Sequence, residues 1–460
     1  MTLSVFDAGH EQPDKIGLIV DDEEYSFADL ADMTTEAVVD VCDDLLPDPT
    51  TKVALTGDTR LETIIKLYAL LELRIPVVMI HPDLTEAEKD TVLSQMKPAV
   101  LWDDEARWFE WDGAPSTPDE CAVIITTSGT SGCRRGVMLS QRNLMASGWA
   151  SGANLGWFND DRWLLNMPTA HVGGLSIVTR CLLERSAIVC SASTSADDIR
   201  NHLDADRVTQ LSLVPTVLKR VLDLGGSWRA PDHLRFALVG GAPVSDDLLE
   251  AARELGVRAL RTYGLTETSS QICTQRLESI ETEIGCGKPL DGFEVSVRED
   301  EIFVRSEAVT CGYFPPESEE TVVDAGGWLG TGDKGVLCDD GSLIVMARSG
   351  DVIISGGENV FPPEIEDVLS QVVWVDNACV FGVPDDDWGE LVCGALTLKE
   401  GCEAVWSELE SHVHKNLAQF KRPRMWCLLP TIPLAASKKV DREEVKRLAF
   451  PLLSRLEDFQ

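Results

Sequence analysis

Thr126-Thr127-Ser128-Gly129-Thr130-Ser131-Gly132-Cys133-Arg134-Arg135-Gly136 follows the apolar run 122–125 and precedes a helix-like segment that begins near Ser140. The order predicts a buried strand that empties into a loop of glycines and hydroxyls ending in two cations. Such a loop suits phosphate. Glycine lets backbone N–H groups approach an anion, Ser and Thr hydroxyls donate further hydrogen bonds, and guanidinium forks add charge. No Gly-Lys-Ser/Thr closes it, so it is not a Walker loop. Taken alone it reads equally well as a Gly/Ser-rich surface turn, and its neighbours in the chain decide between the two.

Upstream, short β-like runs at Ile16–Val20, 52–55 and 76–80 alternate with helix-like runs at 26–42 and 61–73, the pattern of βαβ units around a largely parallel sheet. The acidic stretch 103–120 reads as a connecting loop. Downstream, a helix is expected at 142–155 and a strand at 162–166, which runs into Met167-Pro168-Thr169-Ala170-His171-Val172-Gly173-Gly174-Leu175-Ser176. An imidazole then stands at a strand terminus, where sheet enzymes keep their clefts. Further strands at 209–214 and 235–239 lead to Gly240-Gly241-Ala242-Pro243, and one at 258–263 delivers Tyr263-Gly264-Leu265-Thr266-Glu267-Thr268-Ser269-Ser270-Gln271. Many short runs with turns make 285–340 a small β-rich subdomain, and the last part of the chain reads as a compact α+β domain.

The 460 residues exceed one ordinary core and call for two or more domains. With 77 acidic against 40 basic residues, the net charge of −37 repels nucleic acid and anionic membranes and fits a chain adapted to high salt. Apolar runs are too short to span a bilayer, and no basic segment leads into an N-terminal apolar stretch, so a cytoplasmic protein is expected. Thirteen cysteines without a Cys-x-x-Cys pair suggest neither a zinc site nor a disulfide framework, but small buried apolar residues. Against the acidic background, Lys415, Lys421, Arg422, Arg424, Lys438, Lys439, Arg442, Lys446 and Arg447 form a basic segment suited to polyanionic small molecules. The sequence leaves oligomeric state open, a homo-oligomer included.

The loop at 126–136, Tyr263 to Thr268, Gly330-Thr331-Gly332-Asp333, the run 348–359 and Ser437-Lys438-Lys439-Val440-Asp441-Arg442 together resemble, in order and spacing, the adenylate-forming superfamily of acyl-CoA synthetases, luciferases and peptide-synthetase adenylation domains. The resemblance spans nearly the whole chain. It implies an α/β fold: a large N-terminal adenylation domain, 1–350, of mixed βαβ layers with the β-rich subdomain, and a small mobile α+β C-terminal domain, 351–460. It also implies roles. Thr127, Ser128, Gly129, Thr130, Ser131, Gly132 and Arg135 would hold the phosphates of ATP. Gly241, Ala242 and Pro243 would form a shelf for adenine, with Tyr263 stacked on the ring and Gly264 beside it. Thr266 would reach the α-phosphate and Glu267 would hold Mg²⁺, while Asp333 and Arg348 would take the ribose. Lys439, aligned because Arg442 falls three residues later, would be the catalytic cation. Asp351 matches the hinge, Gly356 and Gly357 the pantetheine tunnel for coenzyme A, and His171, Gly173 and Gly174 the acid pocket.

One departure is Gly132-Cys133-Arg134-Arg135-Gly136 where family members carry Gly-Lys-Pro-Lys-Gly. Arg135 preserves charge, but arginine for lysine is not a conservative exchange at a phosphate. Within the superfamily, the segments 171–176, 263–274 and 354–362 are similar to the o-succinylbenzoate-CoA ligase family of menaquinone biosynthesis. A keto-diacid needs donors beyond those for its reacting carboxylate, and His171, Ser269, Ser270 and Gln271 are candidates. The expected reaction joins the acid to coenzyme A through an acyl-adenylate. Another aryl- or medium-chain acyl-CoA ligase would share every nucleotide residue. An enzyme loading a carrier protein and an inactive nucleotide-binding module are further alternatives; no carrier module follows Arg442, and intact Glu267, Asp333 and Lys439 oppose the last.

Overall fold

A computed structural model describes residues 2–44, 51–104, 106–111, 115, 117–118, 120–127, 135–315, 322–355, 358–385, 388–435 and 439–456. These form two compact units. One comprises Met1–Ser296, Phe303–Leu329 and Cys338–Leu343; the other comprises Val297–Ile302, Gly330–Leu337 and Ile344–Gln460. Segments 297–302 and 330–337 are grouped with 344–460, so neither unit is a single stretch of chain. Strand pairing joins residues distant in sequence, which a single cut cannot represent.

The first unit holds two sheets. One has the strand order Gly312–Phe314, Arg135–Ser140, Cys121–Thr127, Val77–Ile80, Val53–Thr56, Val100–Trp102, Ala106–Trp108. Its middle strands are parallel and its outer pairings are antiparallel. The other runs Lys288–Pro289, Ser270–Thr274, Ala259–Leu265, Phe236–Val239, Gln210–Leu213, Arg162–Leu165, Ala187–Cys190, Ile16–Val20, Glu23–Ser26. Val77–Ile80, Ala187–Cys190 and Phe236–Val239 are buried at every position, as parallel strands covered on both faces must be. Helices Leu61–Glu72 and Val172–Glu184 are apolar around most of their circumference and join both sheets in one core. Helix Gln141–Leu155 starts sharply because Ser140 and Asn143 form a reciprocal capping box.

In the second unit Glu358–Val360, Ile353–Ser355, Gly389–Leu398 and Val375–Asp385 form a sheet in that order, with Met425–Leu428 added to Gly389–Leu398. Helices Pro362–Ser370 and Trp406–Asn416 bury one face each, and Trp374, Trp406 and Trp426 pack edge to face at 5.8 and 6.5 Å. Among the described residues no helix is long and apolar enough to cross a membrane. Seven of the twelve described cysteines are buried, behaving as small apolar side chains.

Two stretches differ from the sequence reading. The loop expected at 103–120 contains the strand Ala106–Trp108, exposed at all three positions and thus without the alternation that signals a strand. The strand expected to end at 263 continues to Leu265, turns through Thr266–Thr268 and returns as Ser270–Thr274.

Candidate active site

The predicted phosphate loop connects two paired strands. Thr127 and Arg135 are antiparallel partners, and the Thr127 hydroxyl donates to the Arg135 carbonyl at 3.4 Å. Ser128, Gly129, Thr130, Ser131, Gly132, Cys133 and Arg134 lie outside the described residues. Arg135 is exposed, with its guanidinium 5.6 Å from the Tyr313 ring centre. Tyr313, on the strand beside Arg135–Ser140, donates its hydroxyl to Glu267 Oε1 at 3.2 Å. Three elements thus gather a carboxylate, a phenol and a guanidinium at the root of this loop.

The tight turn at 266–268 presents Glu267. Its backbone carbonyl accepts from the Thr310 N–H at 2.7 Å, which fastens the turn to a neighbouring segment. Thr266 is half-buried beside it. Gly264 is required by close approach: a Cβ there would stand 1.7 Å from the Ser270 carbonyl oxygen. Ser269 and Ser270 complete the turn at φ 55° and 109°, an arrangement that side chains rarely adopt. Two of the expected acid-pocket donors are buried in this hairpin. Ser269 is buried and its hydroxyl donates to the Ala308 carbonyl at 2.9 Å, while its own carbonyl accepts from Ser147. Gln271 is buried too, with its amide nitrogen donating to Thr274 and Thr262 at 2.7 and 3.2 Å. The Gln271 side-chain oxygen is buried without a hydrogen-bond partner. Ser270 is half-buried.

Gly241, Ala242 and Pro243 are exposed just beyond the strand Phe236–Val239, an open shelf at a parallel strand's carboxyl end. Gly241 has φ 80°. Tyr263 is buried, 8 % exposed. His171 precedes helix Val172–Glu184 and is half-buried with Gly173, whereas Gly174 is buried. A Cβ on Gly174 would meet the Pro168 carbonyl oxygen at 2.3 Å, so glycine allows the helix to start against that loop.

The second unit brings together Asp333, Arg348 and Lys439. Asp333 is 4 % exposed on Leu329–Leu337, and its carboxylate pairs with Arg348 Nε at 3.2 Å. The Thr331 hydroxyl accepts from the Asp333 N–H, holding the strand's conformation there. Lys439 closes a small loop: Ala435 N–H donates to its carbonyl at 2.8 Å, and Leu434 and Val440 form an antiparallel bridge. Crowding by protein and the nearby Arg348 charge lower its pKa, which Asp333 opposes. Lys439 is exposed, so solvent screening weakens both effects. Asp351 meets Arg442 at 3.4 Å, and Arg442 also reaches Glu366 at 2.6 Å and the Val380 carbonyl at 2.8 Å. Gly356, Gly357 and Lys438 lie outside the described residues.

Tyr313, Thr310, Ser147, Glu366 and His81 escaped the sequence reading. None belongs to a recognisable local pattern; each reaches its partner only through the tertiary fold. Chemically, a half-buried carboxylate beside a guanidinium suits a phosphate-bound divalent cation. Magnesium commonly takes one or two carboxylates and completes its shell with water and phosphate, and Glu267 fits that donor set.

Residues 103–314 match the family described as AMP-binding enzyme, and 364–439 match the AMP-binding enzyme C-terminal domain. A protein of Bacillus mycoides (strain KBAB4) named 2-succinylbenzoate–CoA ligase is 35 % identical over 474 residues, covering 95 % of this chain and 96 % of the relative. The structure of o-succinylbenzoate CoA synthetase (MenE) from Bacillus subtilis with the acyl-adenylate intermediate OSB-AMP superposes with TM-score 0.87 at 29 % identity, over 97 % of this chain and 98 % of that one. The same enzyme with ATP and a magnesium ion gives TM-score 0.86 at 29 % identity, over 96 % and 98 %. The chain belongs to the AMP-binding enzyme family of adenylate-forming acid–thiol ligases, among the relatives named 2-succinylbenzoate–CoA ligase.

Proposed function

We propose that the chain converts o-succinylbenzoate and coenzyme A to o-succinylbenzoyl-CoA at the expense of ATP, a cytoplasmic step of menaquinone biosynthesis. The observation that carries the chemistry is the grouping of Lys439, Arg348 and Asp333 in one unit, with Glu267 held by Tyr313 at the phosphate-loop root in the other. The acid is supported by the identity to 2-succinylbenzoate–CoA ligases over almost the whole chain.

The reaction has two halves. A carboxylate oxygen attacks the α-phosphorus, the bond to pyrophosphate breaks, and an acyl-adenylate forms. The coenzyme A sulfur then attacks the acyl carbon, its proton is lost, and AMP leaves. Neither half needs a protein nucleophile; positioning and charge neutralisation suffice. Thr127, Arg135 and the loop between them bind the departing phosphates, Thr266 donates to the α-phosphate, and Asp333 accepts from the ribose hydroxyls beside Arg348. Lys439 places a cation where the carboxylate and α-phosphate crowd negative charge together. Magnesium, held by Glu267, would neutralise phosphate charge when bound. Rotation at Asp351 then withdraws Lys439 and brings Gly356 and Gly357 to the thiol path.

The test is AMP and thioester formation by the purified chain with MgATP and coenzyme A, comparing o-succinylbenzoate with benzoate, 4-substituted benzoates and medium-chain fatty acids. Strong preference for o-succinylbenzoate is expected. Preference for another acid would preserve the chemistry and remove the substrate assignment.

A further inference from the structure

His81 follows the last residue of Val77–Ile80, in one sheet of the first unit, and His171 follows the strand Arg162–Leu165 of the other. Their Nε2 atoms lie 3.0 Å apart, with ring centres 4.7 Å apart in an edge-to-face arrangement at 64°. The histidines therefore meet where the carboxyl ends of two parallel-strand systems converge. Both backbones are tied down. Leu84 N–H donates to the His81 carbonyl, and His171 N–H donates to the Pro168 carbonyl at 3.0 Å. Ala170 N–H donates to the Gly57 carbonyl at 3.1 Å. A Cβ on Gly57 would come within 2.6 Å of the Ala170 nitrogen, so this seam has no slack.

A backbone amide decides the protons. Asp83 N–H donates to His81 Nδ1 at 3.1 Å, and a peptide nitrogen can only donate, so Nδ1 carries a lone pair. The single proton of a neutral His81 is then on Nε2. That N–H points to His171 Nε2, which must accept, and the proton of His171 is left on Nδ1. Protonating His171 at Nε2 would set two N–H groups against each other across 3.0 Å.

We propose that His81 is a positioning residue: its Nε2–H locks His171 as the neutral Nδ1–H tautomer, so that His171 meets the acid substrate as a hydrogen-bond donor and not as a cation. The inference rests on the reading of His171 as part of the acid pocket. Its chemical sense is that the lock fixes which ring atom donates: with Nε2 accepting from His81, the N–H that His171 can offer an acceptor of the keto-diacid is the one on Nδ1, held in a single orientation.

Two amide substitutions separate the roles of the His81 ring. Glutamine carries an N–H to the reach of Nε2; asparagine places an acceptor near Nδ1 but cannot reach His171. In the full chain, His81→Gln should keep the KM for o-succinylbenzoate within about threefold, and His81→Asn should raise it roughly tenfold, the value of one lost hydrogen bond, with the KM for ATP unchanged in both. Long-range ¹⁵N correlation spectra of histidine-labelled protein, assigned with His171→Gln, should show His171 protonated at Nδ1 in the wild type and in His81→Gln. In His81→Asn its tautomers should mix. An unchanged His171 tautomer in His81→Asn, or equal kinetics for the two amides, overturns the proposal. If instead His171→Phe leaves the KM for the acid unchanged, it is the pocket reading of His171 that fails, while the spectra still report on the His81 lock.

Discussion

Arg442→Ala removes the centre of a polar cluster in the second unit and leaves a carboxylate stranded. Arg442 bonds Glu366 at 2.6 Å, Asp351 at 3.4 Å and the Val380 carbonyl at 2.8 Å, while Glu366 also accepts from Val380 N–H at 2.8 Å. Burial already pushes the Glu366 carboxyl above its usual pKa, although Arg442 opposes the shift. Breaking a buried pair by deleting one partner costs about 3–5 kcal/mol, most of it from the charge left behind. Side-chain exposures of 19 % for Arg442 and 20 % for Glu366 favour the lower end, about 3 kcal/mol. The carboxyl pKa is raised in the folded state, so its favourable contribution is complete below the ordinary carboxylate pKa and is lost as pH rises through the folded value. The deficit of Arg442→Ala should therefore shrink at acidic pH, and Arg442→Ala/Glu366→Gln should recover about half of it at neutral pH. The assay is urea unfolding of the full chain at two pH values, followed by tryptophan fluorescence and resolved by the cluster of Trp374, Trp406 and Trp426. A deficit below about 1 kcal/mol, or one unaffected by both pH and Glu366→Gln, would refute the reasoning.

Other outcomes follow from the same geometry. Lys439→Ala should slow adenylate formation on the order of 10²–10³-fold, read as pyrophosphate exchange into ATP; unchanged exchange would remove Lys439 from the chemistry. Tyr313→Phe deletes the hydroxyl that orients Glu267, and should raise the magnesium concentration for half-maximal activity by roughly threefold to tenfold without altering the KM for the acid. Burial, aided by Asp161, holds the Glu184 carboxyl up at about 8, and its Oε2 is buried without a hydrogen-bond partner. Stability should fall between the ordinary carboxylate pKa and pH 8 by up to about 1.4 kcal/mol per pH unit, and Glu184→Gln should flatten that dependence in thermal melts. The net charge of −37 predicts that activity and melting temperature rise from low to molar KCl; best performance at low salt would exclude a high-salt adaptation.

The α/β class, the alternation of strands and helices through residues 52–80, and the strands near 162–165, 210–213 and 236–239 were legible in the sequence, because buried runs such as Val77–Ile80 act locally; helices such as Glu86–Met96 and Val172–Glu184 were not read. Asp333, Arg348 and Lys439 were recognisable by motif; their grouping needed strands and a loop from separate parts of the chain. Tyr313 against Glu267, the burial of Ser269 and Gln271 with their bonds to Ala308 and Thr274, and the His81–His171 contact were decided only by tertiary structure. The physical reason is that a hydrogen bond is a relation between positions in space. His81 and His171 lie 90 residues apart, and no periodicity or local pattern records that two sheets bring their Nε2 atoms to 3.0 Å.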